Sequence, residues 1–247
     1  MRKLSIIPLL LAGLLATGGA TPGAHKAMAV NHGKQTAQQS NAGQQGLDAI
    51  LEQMNKAAAA FRTAQADFEW DQYERVVEEH DIQNGRIYFR RTKSGIDASI
   101  KVTSPDSKQV LFKDGKLMLY QPKIDQVTEY KSNANRAEVE SFMSLGFGAS
   151  GKDLAANFEI KLDGWETIDG VKTAKLDLTP KQEKVRSSLS RVLLWMDPVR
   201  DVSLKQQFFE PSGDYRLTHY TNIRLNRKIS DDVFRLKTRP GTRIVTP

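Results

Sequence analysis

Hydrophobic residues recur with two different periods along the chain. Between Leu47 and Phe61 they occupy positions 47, 50, 51, 54, 58 and 61, which is the spacing of one face of a helix. Beyond Phe61 the period falls to two, and Phe68 and Trp70 alternate with acidic residues. The pattern predicts an amphipathic helix followed by strands that have one apolar face.

Alternating segments of this kind continue to residue 225 and are separated by turn-forming residues. Asn84-Gly85 predicts one hairpin turn, and Asp114-Gly115 predicts a second. The further predicted strands lie near residues 87–91, 100–103, 110–112, 117–120, 127–130, 158–162, 172–178, 191–196, 202–209 and 215–225. About eleven strands joined by tight turns favour one curved antiparallel sheet or barrel. Helices do not alternate with strands, which excludes a parallel α/β fold.

One segment, residues 132–157, interrupts the strands. Residues 137–145 have a helical pattern, 146–149 contain two glycines that permit a hinge, and 152–157 predict one more helical turn. A sheet of this size must curl or be covered, and two helices cover only part of it. The segment is therefore a candidate lid, although an ordinary core helix is the alternative. The lid candidates are Phe142, Met143, Leu145 and Phe147.

The first residues have the anatomy of a secretory signal peptide. A basic start precedes a short apolar run and small residues, with cleavage expected after Ala20 or Ala29. Residues 1–29 are assigned to this signal peptide. Residues 30–46 are rich in Gly, Ala, Gln and Asn and are assigned to a disordered tether. Residues 47–247 are expected to form one domain of an exported, soluble, periplasmic protein.

Composition argues against several classes of chemistry. The chain contains no cysteine, which removes disulfides, thiolate ligands and a cysteine for lipid attachment. The net charge is +7, but Lys and Arg are scattered among acidic residues, which disfavours nucleic-acid binding. The histidines are His25, His32, His80 and His219, and no catalytic or metal-binding motif accompanies them. The sequence therefore predicts a protein that is not an enzyme and that needs no cofactor or metal.

Large apolar side chains are numerous on the predicted sheet, and two interpretations stay open. They form either an ordinary core packed by the two helices or the wall of a cavity that the helices leave partly open. Such a cavity would hold acyl chains, because each buried CH₂ group contributes roughly 0.8 kcal/mol. The residues predicted to line this lipid cavity are Phe68, Trp70, Ile87, Phe89, Leu117, Leu119, Trp195 and Phe208.

An arginine pair ends the second predicted strand. Counted at period two with Ile87 and Phe89, Arg91 shares their apolar face and Arg90 faces solvent. A register slip of one residue exchanges the two arginines, so both assignments stay open. An inward arginine would donate hydrogen bonds to carbonyl groups of the lid and hold an empty cavity closed. Arg91 is therefore the predicted gate.

The order of these parts resembles the LolA family of periplasmic carriers of outer-membrane lipoproteins. Two stretches carry the resemblance. They are residues 104–122, in which Asp114-Gly115 precedes Tyr120 and Pro122, and residues 218–241, which contain Asn226, Ile229, Ser230, Asp231, Asp232, Val233, Phe234, Pro240 and Gly241. The resemblance extends over about residues 47–245.

The resemblance implies an α+β, mainly β fold. Its centre is an unclosed antiparallel β-barrel of about 11 strands, covered by an N-terminal helix and a mid-chain helical lid. It also implies binding of lipoprotein acyl chains, no cofactor, and a gating arginine at the position of Arg91. Thr92 departs from the family, in which proline usually follows that arginine. The absence of cysteine makes the chain more similar to the carrier than to the membrane-anchored receptor of the same fold.

The expected function is a monomeric periplasmic carrier of acylated lipoproteins. It would take them from an inner-membrane release complex and pass them to the outer membrane, with an outer-membrane receptor as a candidate partner. A carrier or sensor of another lipid on the same fold is the first alternative. A non-catalytic structural module of the envelope is the second, and acyl chains bound to the native protein would argue against it.

Overall fold

The computed structural model describes residues 35–93, 95–130 and 145–246. Its helices are α1 (Gln35–Ala60), α2 (Gly151–Asn157) and α3 (Glu183–Arg186), together with a 3-10 helix at Asp231–Phe234. Its strands are β1 (Thr63–Glu74), β2 (Glu79–Thr92), β3 (Gly95–Ser104), β4 (Lys108–Lys113), β5 (Lys116–Gln121), β6 (Gln126–Tyr130), β7 (Phe158–Ile168), β8 (Val171–Pro180), β9 (Arg191–Asp197), β10 (Val202–Phe209), β11 (Tyr215–Leu225) and β12 (Arg243–Val245). Within these ranges, no helix has both the length and the apolar character needed to cross a bilayer. The predicted signal peptide lies outside the described residues.

Helix α1 buries one face against the second half of the sheet. Leu47, Ile50 and Met54 are buried and pack in one cluster with Leu154 of α2. The predicted amphipathic helix is therefore present, but α1 already begins at Gln35, inside the segment expected to be a disordered tether. This segment is rich in Gln and Ala, which are good helix formers. A composition that lacks large apolar groups did not distinguish a tether from a helical extension.

Helix α2 starts with a capping box. The backbone N–H of Asp153 donates to Ser150 Oγ at 3.0 Å, and the backbone N–H of Ser150 donates to the Asp153 carboxylate at 3.4 Å. The helical turn predicted near residues 152–157 is present. A Cβ added to Gly151 would lie 2.3 Å from the carbonyl oxygen of Leu51, so glycine permits the close approach of α2 to α1.

The strands form one 12-stranded sheet in the order β12-β6-β5-β4-β3-β2-β1-β11-β10-β9-β8-β7. Neighbours are antiparallel except β12 and β6, which run parallel. In the described chain the edge strands β12 and β7 do not pair with each other, so the barrel is unclosed. The predicted fold class is confirmed. The extra strand, β12, arises because the chain returns after the 3-10 helix and adds to the β6 edge.

The first predicted turn is wrong. The chain turns earlier, where Glu78 adopts a φ of 54°, and β2 continues through Asn84 and Gly85. A Cβ at Gly85 would lie 2.1 Å from the carbonyl oxygen of Lys101 on β3 and 2.7 Å from the ring of Phe68. The pairing of β2 with β3 also changes register at this point. Gly85 therefore serves a β-bulge with close backbone approach, which the dipeptide pattern alone does not distinguish from a turn.

The second predicted turn is present between β4 and β5. Asp114 and Gly115 have φ values of 51° and 77°, and Lys113 pairs with Lys116 across the turn. Two consecutive positive φ values are the mark of a type I′ hairpin, which suits the right-handed twist of the flanking strands. The local sequence was sufficient to determine this turn.

One face of the sheet, here called the inner face, carries two clusters of buried side chains. The first cluster lies mainly on β1–β5 and includes Phe68 and Phe89. The second lies beneath α1 and α2, mainly on β8–β10, and includes Leu176 and Leu194. In the described part of the chain, no helix contributes a residue to the first cluster. This half of the inner face is the one that α1 leaves uncovered.

The opposite, outer face is partly covered by the C-terminal segment. Phe234 is fully buried, and the guanidinium of Arg90 lies 4.3 Å from the centre of its ring. Arg90 also donates to Asp97 at 2.8 Å and pairs with Asp231. The prediction that Arg90 faces solvent is therefore wrong. The 3-10 helix packs over the end of β2, and its residues Asp231 and Phe234 contact Arg90 in place of water.

Candidate functional site

The inner face carries continuous rows of apolar side chains. Ala66, Ile87, Ile100, Val110 and Leu119 lie opposite one another across β1–β5. The adjacent row, in the same strand order, is Ala64, Phe89, Ala98, Phe112 and Leu117. Members of both rows are buried. Directly opposed residues on one face have Cβ atoms about 4.5–5.5 Å apart, so the rows form one continuous apolar surface.

Most of the side chains predicted to line a lipid cavity lie on this face. Phe68, Trp70, Ile87, Phe89, Leu117 and Leu119 belong to the first cluster, and Phe208 belongs to the second. The rings of Phe68 and Trp70 stack with their centres 4.3 Å apart. The period-two pattern placed these residues on a common face, because pairing preserves the alternation within each strand.

Trp195 does not belong to this group, and its predicted place in the cavity is wrong. Its neighbour Leu194 points to the inner face, so Trp195 points outward. There its indole Nε1 donates to the Glu166 carboxylate at 2.7 Å, and Lys205 Nζ lies 4.8 Å from the ring centre. Strand β9 is buried on both faces. Apolar character therefore did not reveal which of its residues point inward.

Residues 145–148, here called the plug segment, lie against the inner face. The Phe147 ring stacks on Phe89 with the centres 5.3 Å apart and meets Tyr220 edge-on at 4.9 Å. Phe147 is 1% exposed, and its backbone forms a bridge with Val202. Leu145 is buried in the second cluster. The other two lid candidates, Phe142 and Met143, lie outside the described residues, as does most of the helix predicted over 137–145.

Three hydrogen bonds hold the plug segment by its backbone carbonyl groups. Gln206 Nε2 donates to the carbonyl of Leu145 at 2.7 Å, and the backbone N–H of Ser203 donates to that of Gly146 at 2.9 Å. Arg91 Nη2 donates to the carbonyl of Gly148 at 2.9 Å. The donors come from β10 and β2, on both sides of the sheet centre. The segment is thus held on the inner face through its main chain.

Both glycines of the plug segment are required by its conformation. Gly146 and Gly148 have φ values of 76° and 80°, in the left-handed region that favours glycine. A Cβ at Gly148 would also lie 2.5 Å from the ring of Phe61, and one at Gly146 would lie 2.3 Å from Gln206 Nε2. The segment therefore combines one large aromatic side chain, Phe147, with two positions that accept only glycine.

Arg91 and Arg90 take opposite faces of β2. Arg91 lies on the same side as Ile87 and Phe89, and its guanidinium is 5.8 Å from the centre of the Phe61 ring. It contacts the plug segment through Gly148, whereas Arg90 binds the C-terminal segment on the outer face. Of the two register choices left open by the sequence, the structure adopts the one that turns Arg91 inward.

The sequence pattern did not single out a further arginine on the inner face. Arg216 lies opposite Phe208 on β10, and its guanidinium is 5.0 Å from the ring centre of Trp70 and 5.4 Å from that of Phe208. Its Nε is shielded from solvent and has no hydrogen-bond partner. Burial lowers the pKa of the Arg216 guanidinium. The alternation of residues 216, 218 and 220 on one predicted strand was the available indication that Arg216 points inward.

A buried acidic pair, Asp197 and Asp201, lies beside Val202, which pairs with the plug segment. Asp201 directly precedes Val202, which forms the bridge with Phe147. Burial, followed by the charge of Asp197, raises the pKa of Asp201 to about 7. The Asp197 carboxylate accepts a hydrogen bond from Arg200 Nε at 2.6 Å. Asp201 thus changes its charge near neutral pH, in the turn between β9 and β10.

The two histidines in the described part of the chain each bond a surface carboxylate. His80 shares a hydrogen bond with Asp71, and His219 shares one with Asp169, each at 2.7 Å and each at the surface. Among residues 35–93, 95–130 and 145–246, no three His, Cys, Asp or Glu side chains gather into a group that could hold a metal ion. Besides apolar contact, the inner face offers two arginines and the buried Lys108, which lies opposite Val102 of β3.

Comparison with known proteins identifies the family. The model of the outer membrane lipoprotein carrier protein LolA matches residues 59–237. No curated protein matches the sequence at a significant level. An uncharacterized conserved protein from Thermus thermophilus has the same fold, with a TM-score of 0.51 and 12% identity, covering 86% of this chain and 100% of that one.

Two other solved structures are more distant in shape. A LolA superfamily protein from Nitrosomonas europaea has a TM-score of 0.38 and 16% identity, covering 77% of this chain and 97% of that one. The MucA/MucB complex of Pseudomonas aeruginosa has a TM-score of 0.46 and 15% identity, covering 76% of this chain but only 60% of that one. These likenesses concern the fold alone. The family match extends over well over half of the sequence, and on that ground the chain belongs to the family of the outer membrane lipoprotein carrier protein LolA.

Proposed function

We propose that this protein is a periplasmic, non-enzymatic carrier that binds the acyl chains of lipoproteins on its inner face and shuttles them from the inner to the outer membrane. The observation that supports this proposal best is the position of Phe147. The protein's own aromatic side chain occupies the apolar surface between Phe89 and Tyr220, on the half of the sheet that α1 leaves uncovered. The plug segment would then stand where an acyl chain binds.

The energetic comparison favours displacement of the plug segment by a lipid. Burying a Phe side chain contributes about 1.5–3 kcal/mol, whereas ten methylene groups contribute roughly 8 kcal/mol. A long acyl chain would therefore outcompete Phe147 for the same surface. Reclosure of the plug segment would offset part of that gain. Binding would stay reversible, which a carrier requires.

The mode of attachment fits a segment that opens. Arg91, Ser203 and Gln206 bind backbone carbonyl groups, which exchange readily for water when the segment leaves. Gly146 and Gly148 supply the backbone freedom for a hinge. Arg91 would act as the gate, because its bond to Gly148 exists only in the closed arrangement. The lipid cavity of the sequence prediction would form on opening.

Support for lipoproteins as the cargo comes from the family to which the chain belongs. We propose an inner-membrane release complex as the donor and an outer-membrane receptor as an acceptor, with the carrier acting as a monomer. Another lipid carried or sensed on the same fold is the second candidate. The observation that favours it is Arg216, a charged group within the apolar surface.

Quenching of Trp70 fluorescence tests the proposal directly. Trp70 lies on the inner face, whereas Trp195 faces outward and Trp165 is 45% exposed. A triacylated lipopeptide with brominated chains is expected to quench part of the emission with saturable dependence on concentration, and the same peptide without acyl chains is not. Trp70→Phe is the matched control and should abolish the quenchable part. Equal emission with and without the acyl chains would contradict the proposal and favour a structural module.

A further inference from the structure

Arg216 lies where the two clusters of the inner face meet. It pairs with Phe208 of the second cluster and lies diagonally beside Trp70 of the first. Thr218 and Tyr220 follow it at period two on the same face of β11, and both are buried. The guanidinium is therefore part of the apolar surface between β1 and β10. Arg216 is thus distinct from the charged residues on the outer face, such as Arg86.

The arginine has no counter-ion in the described chain. Its Nε is shielded and unpaired, and no carboxylate of the described residues lies within ion-pair distance of the guanidinium. Other partly buried arginines are paired: Arg90 with Asp97, and Arg191 with Asp177 through two hydrogen bonds of 2.8 and 2.7 Å. The side chain is half-buried, and a guanidinium stays charged at any physiological pH. Arg216 is thus a charge set in an apolar surface, with one shielded donor that no group of the described chain satisfies.

Glu210, the acidic residue whose charge acts on Arg216, does not serve as its counter-ion. Burial raises the pKa of Glu210, and the charge of Asp214 raises it further, although Arg216 acts in the opposite direction. Glu210 forms no ion pair with Arg216 in the described structure, although its charge acts on the guanidinium. A ligand anion would therefore meet a guanidinium that has an unpaired donor and is not bound by Glu210.

We propose that Arg216 binds the anionic headgroup, a carboxylate or a phosphate, of a lipid whose acyl chain occupies the inner face. This inference rests on the proposed function and specifies the class of lipid that the site prefers. A planar guanidinium offers paired N–H donors that match two oxygens of a carboxylate or phosphate. The rings of Trp70 and Phe208 flank it and stabilise the cation through their faces.

The distances along β11 fit one ligand that reaches both sites. Arg216 and Tyr220 are four residues apart on an extended strand, which corresponds to about 13 Å. Tyr220 contacts Phe147, the residue that the acyl chain would displace. A headgroup on Arg216 would thus direct its chain along β11 to the surface that the plug segment covers. Neutral acyl esters would occupy the same surface without the ionic contact.

Calorimetric titration with three probes tests this assignment. The probes are laurate, the neutral monolauroylglycerol with the same chain, and inorganic phosphate. The native protein is expected to bind laurate about tenfold more tightly than monolauroylglycerol, since a charge-assisted contact of this kind contributes roughly 1.4 kcal/mol or more. In Arg216→Met this preference should disappear, because the ionic contact is lost while an apolar side chain of similar length remains. Arg86→Met removes an equal charge on the outer face of β2 and should leave the preference intact.

The outcomes separate the two proposals. Failure of both lipids to bind would overturn the proposed function and this inference together. Equal binding of both lipids by the native protein would overturn the anion site alone, and so would an undiminished laurate preference in Arg216→Met. Saturable phosphate binding that needs Arg216, without any laurate preference, would identify a site for a free anion and overturn the lipid assignment. If Arg216→Met does not fold, Arg216→Lys replaces it, with an expected loss of laurate affinity of about threefold because the paired donors are lost.

Discussion

Arg91 Nη2 donates a hydrogen bond over 2.9 Å to the carbonyl oxygen of Gly148, which joins the end of β2 to the plug segment. The two residues are 57 positions apart in the chain, and both lie close to the ring of Phe61. The contact joins one strand end to the segment over the apolar surface. In the proposed carrier, its strength would set part of the balance between closed and open arrangements.

Arg91→Leu is expected to slow release of an acylated ligand and to raise its affinity about five- to tenfold. The bond stabilises the closed arrangement alone, and a net loss of about 1–1.5 kcal/mol shifts the equilibrium toward opening by that factor. The free energy of unfolding should fall by no more than the same amount, about 1–1.5 kcal/mol, because the exposed side chain contributes little beyond this bond. Stopped-flow transfer of a fluorescent acyl probe to vesicles measures the release rate. Arg86→Leu, on the outer face of the same strand, is the control, and equal rates in both variants would remove Arg91 from the mechanism.

Phe147→Ala is expected to tighten acyl binding by about tenfold or more while it lowers stability. The substitution removes the ring that competes with the ligand for Phe89 and Tyr220. Removal of a buried Phe side chain costs about 3–5 kcal/mol in a well-packed core. Phe158→Ala is the matched control, because Phe158 is also 1% exposed but lies in the second cluster. Binding titration and chemical unfolding measure the two effects; weaker acyl binding in both variants would show that Phe147 is ordinary core.

Gln206→Leu is expected to lower stability by about 1–3 kcal/mol. The amide donates to the carbonyl of Leu145 and accepts from the Tyr220 hydroxyl at 3.2 Å, so both groups would be left buried without a partner. Gln207→Leu makes the same change on the opposite face of β10 and should have an effect within about 0.5 kcal/mol. Urea unfolding measures both. In a double-mutant cycle with Tyr220→Phe, strictly additive losses would contradict a shared hydrogen-bond chain.

The stability of the protein is expected to depend on pH through Asp201. Burial and the charge of Asp197 raise the pKa of this carboxyl to about 7, whereas in the unfolded chain it ionises near pH 4. Between about pH 4 and 7 the folded protein keeps a proton that the unfolded chain has lost. The contribution of Asp201 to stability is therefore present at low pH and falls as pH rises through this window.

Asp201→Asn isolates this contribution. The free energy of unfolding of the variant relative to the native protein should rise by roughly 2–4 kcal/mol between pH 4 and pH 8. Asn also tolerates the positive φ of 54° at this position. Asp114→Asn, at an exposed turn residue with a φ of 51°, is the matched control and should show no such trend. A difference that is constant across the pH range would mean that Asp201 is ionised throughout.

Much of the apolar surface could be predicted because alternation is a local property. Phe68, Phe89 and Leu119 share a face for the same reason that their strands exist: every second side chain points the same way. Arg91 followed from the same count. The type I′ turn at Asp114-Gly115 is likewise determined by residues that adopt positive φ readily.

Other features could not be read from local patterns. Gly85 looks like a turn residue, and only the approach of Lys101 on β3 reveals a bulge. Trp195 is apolar and buried, yet it lies on the outer face because β9 is covered on both sides. Arg216 looks like a surface charge until Trp70 and Phe208 are brought to either side of it. Each error concerns contacts between residues far apart in the sequence.

Local periodicity accounts for the mainly β class, the amphipathic helix from Leu47 and the set of side chains that share strand faces, because these depend on the spacing of neighbouring residues. What covers each face is determined by long-range packing. The plug segment inserts Phe147 beside Phe89 and Tyr220, and the C-terminal segment places Asp231 and Phe234 over Arg90. These arrangements follow from packing and hydrogen bonding between segments that are far apart in the sequence. The periodicity of neighbouring residues contains no information about such contacts.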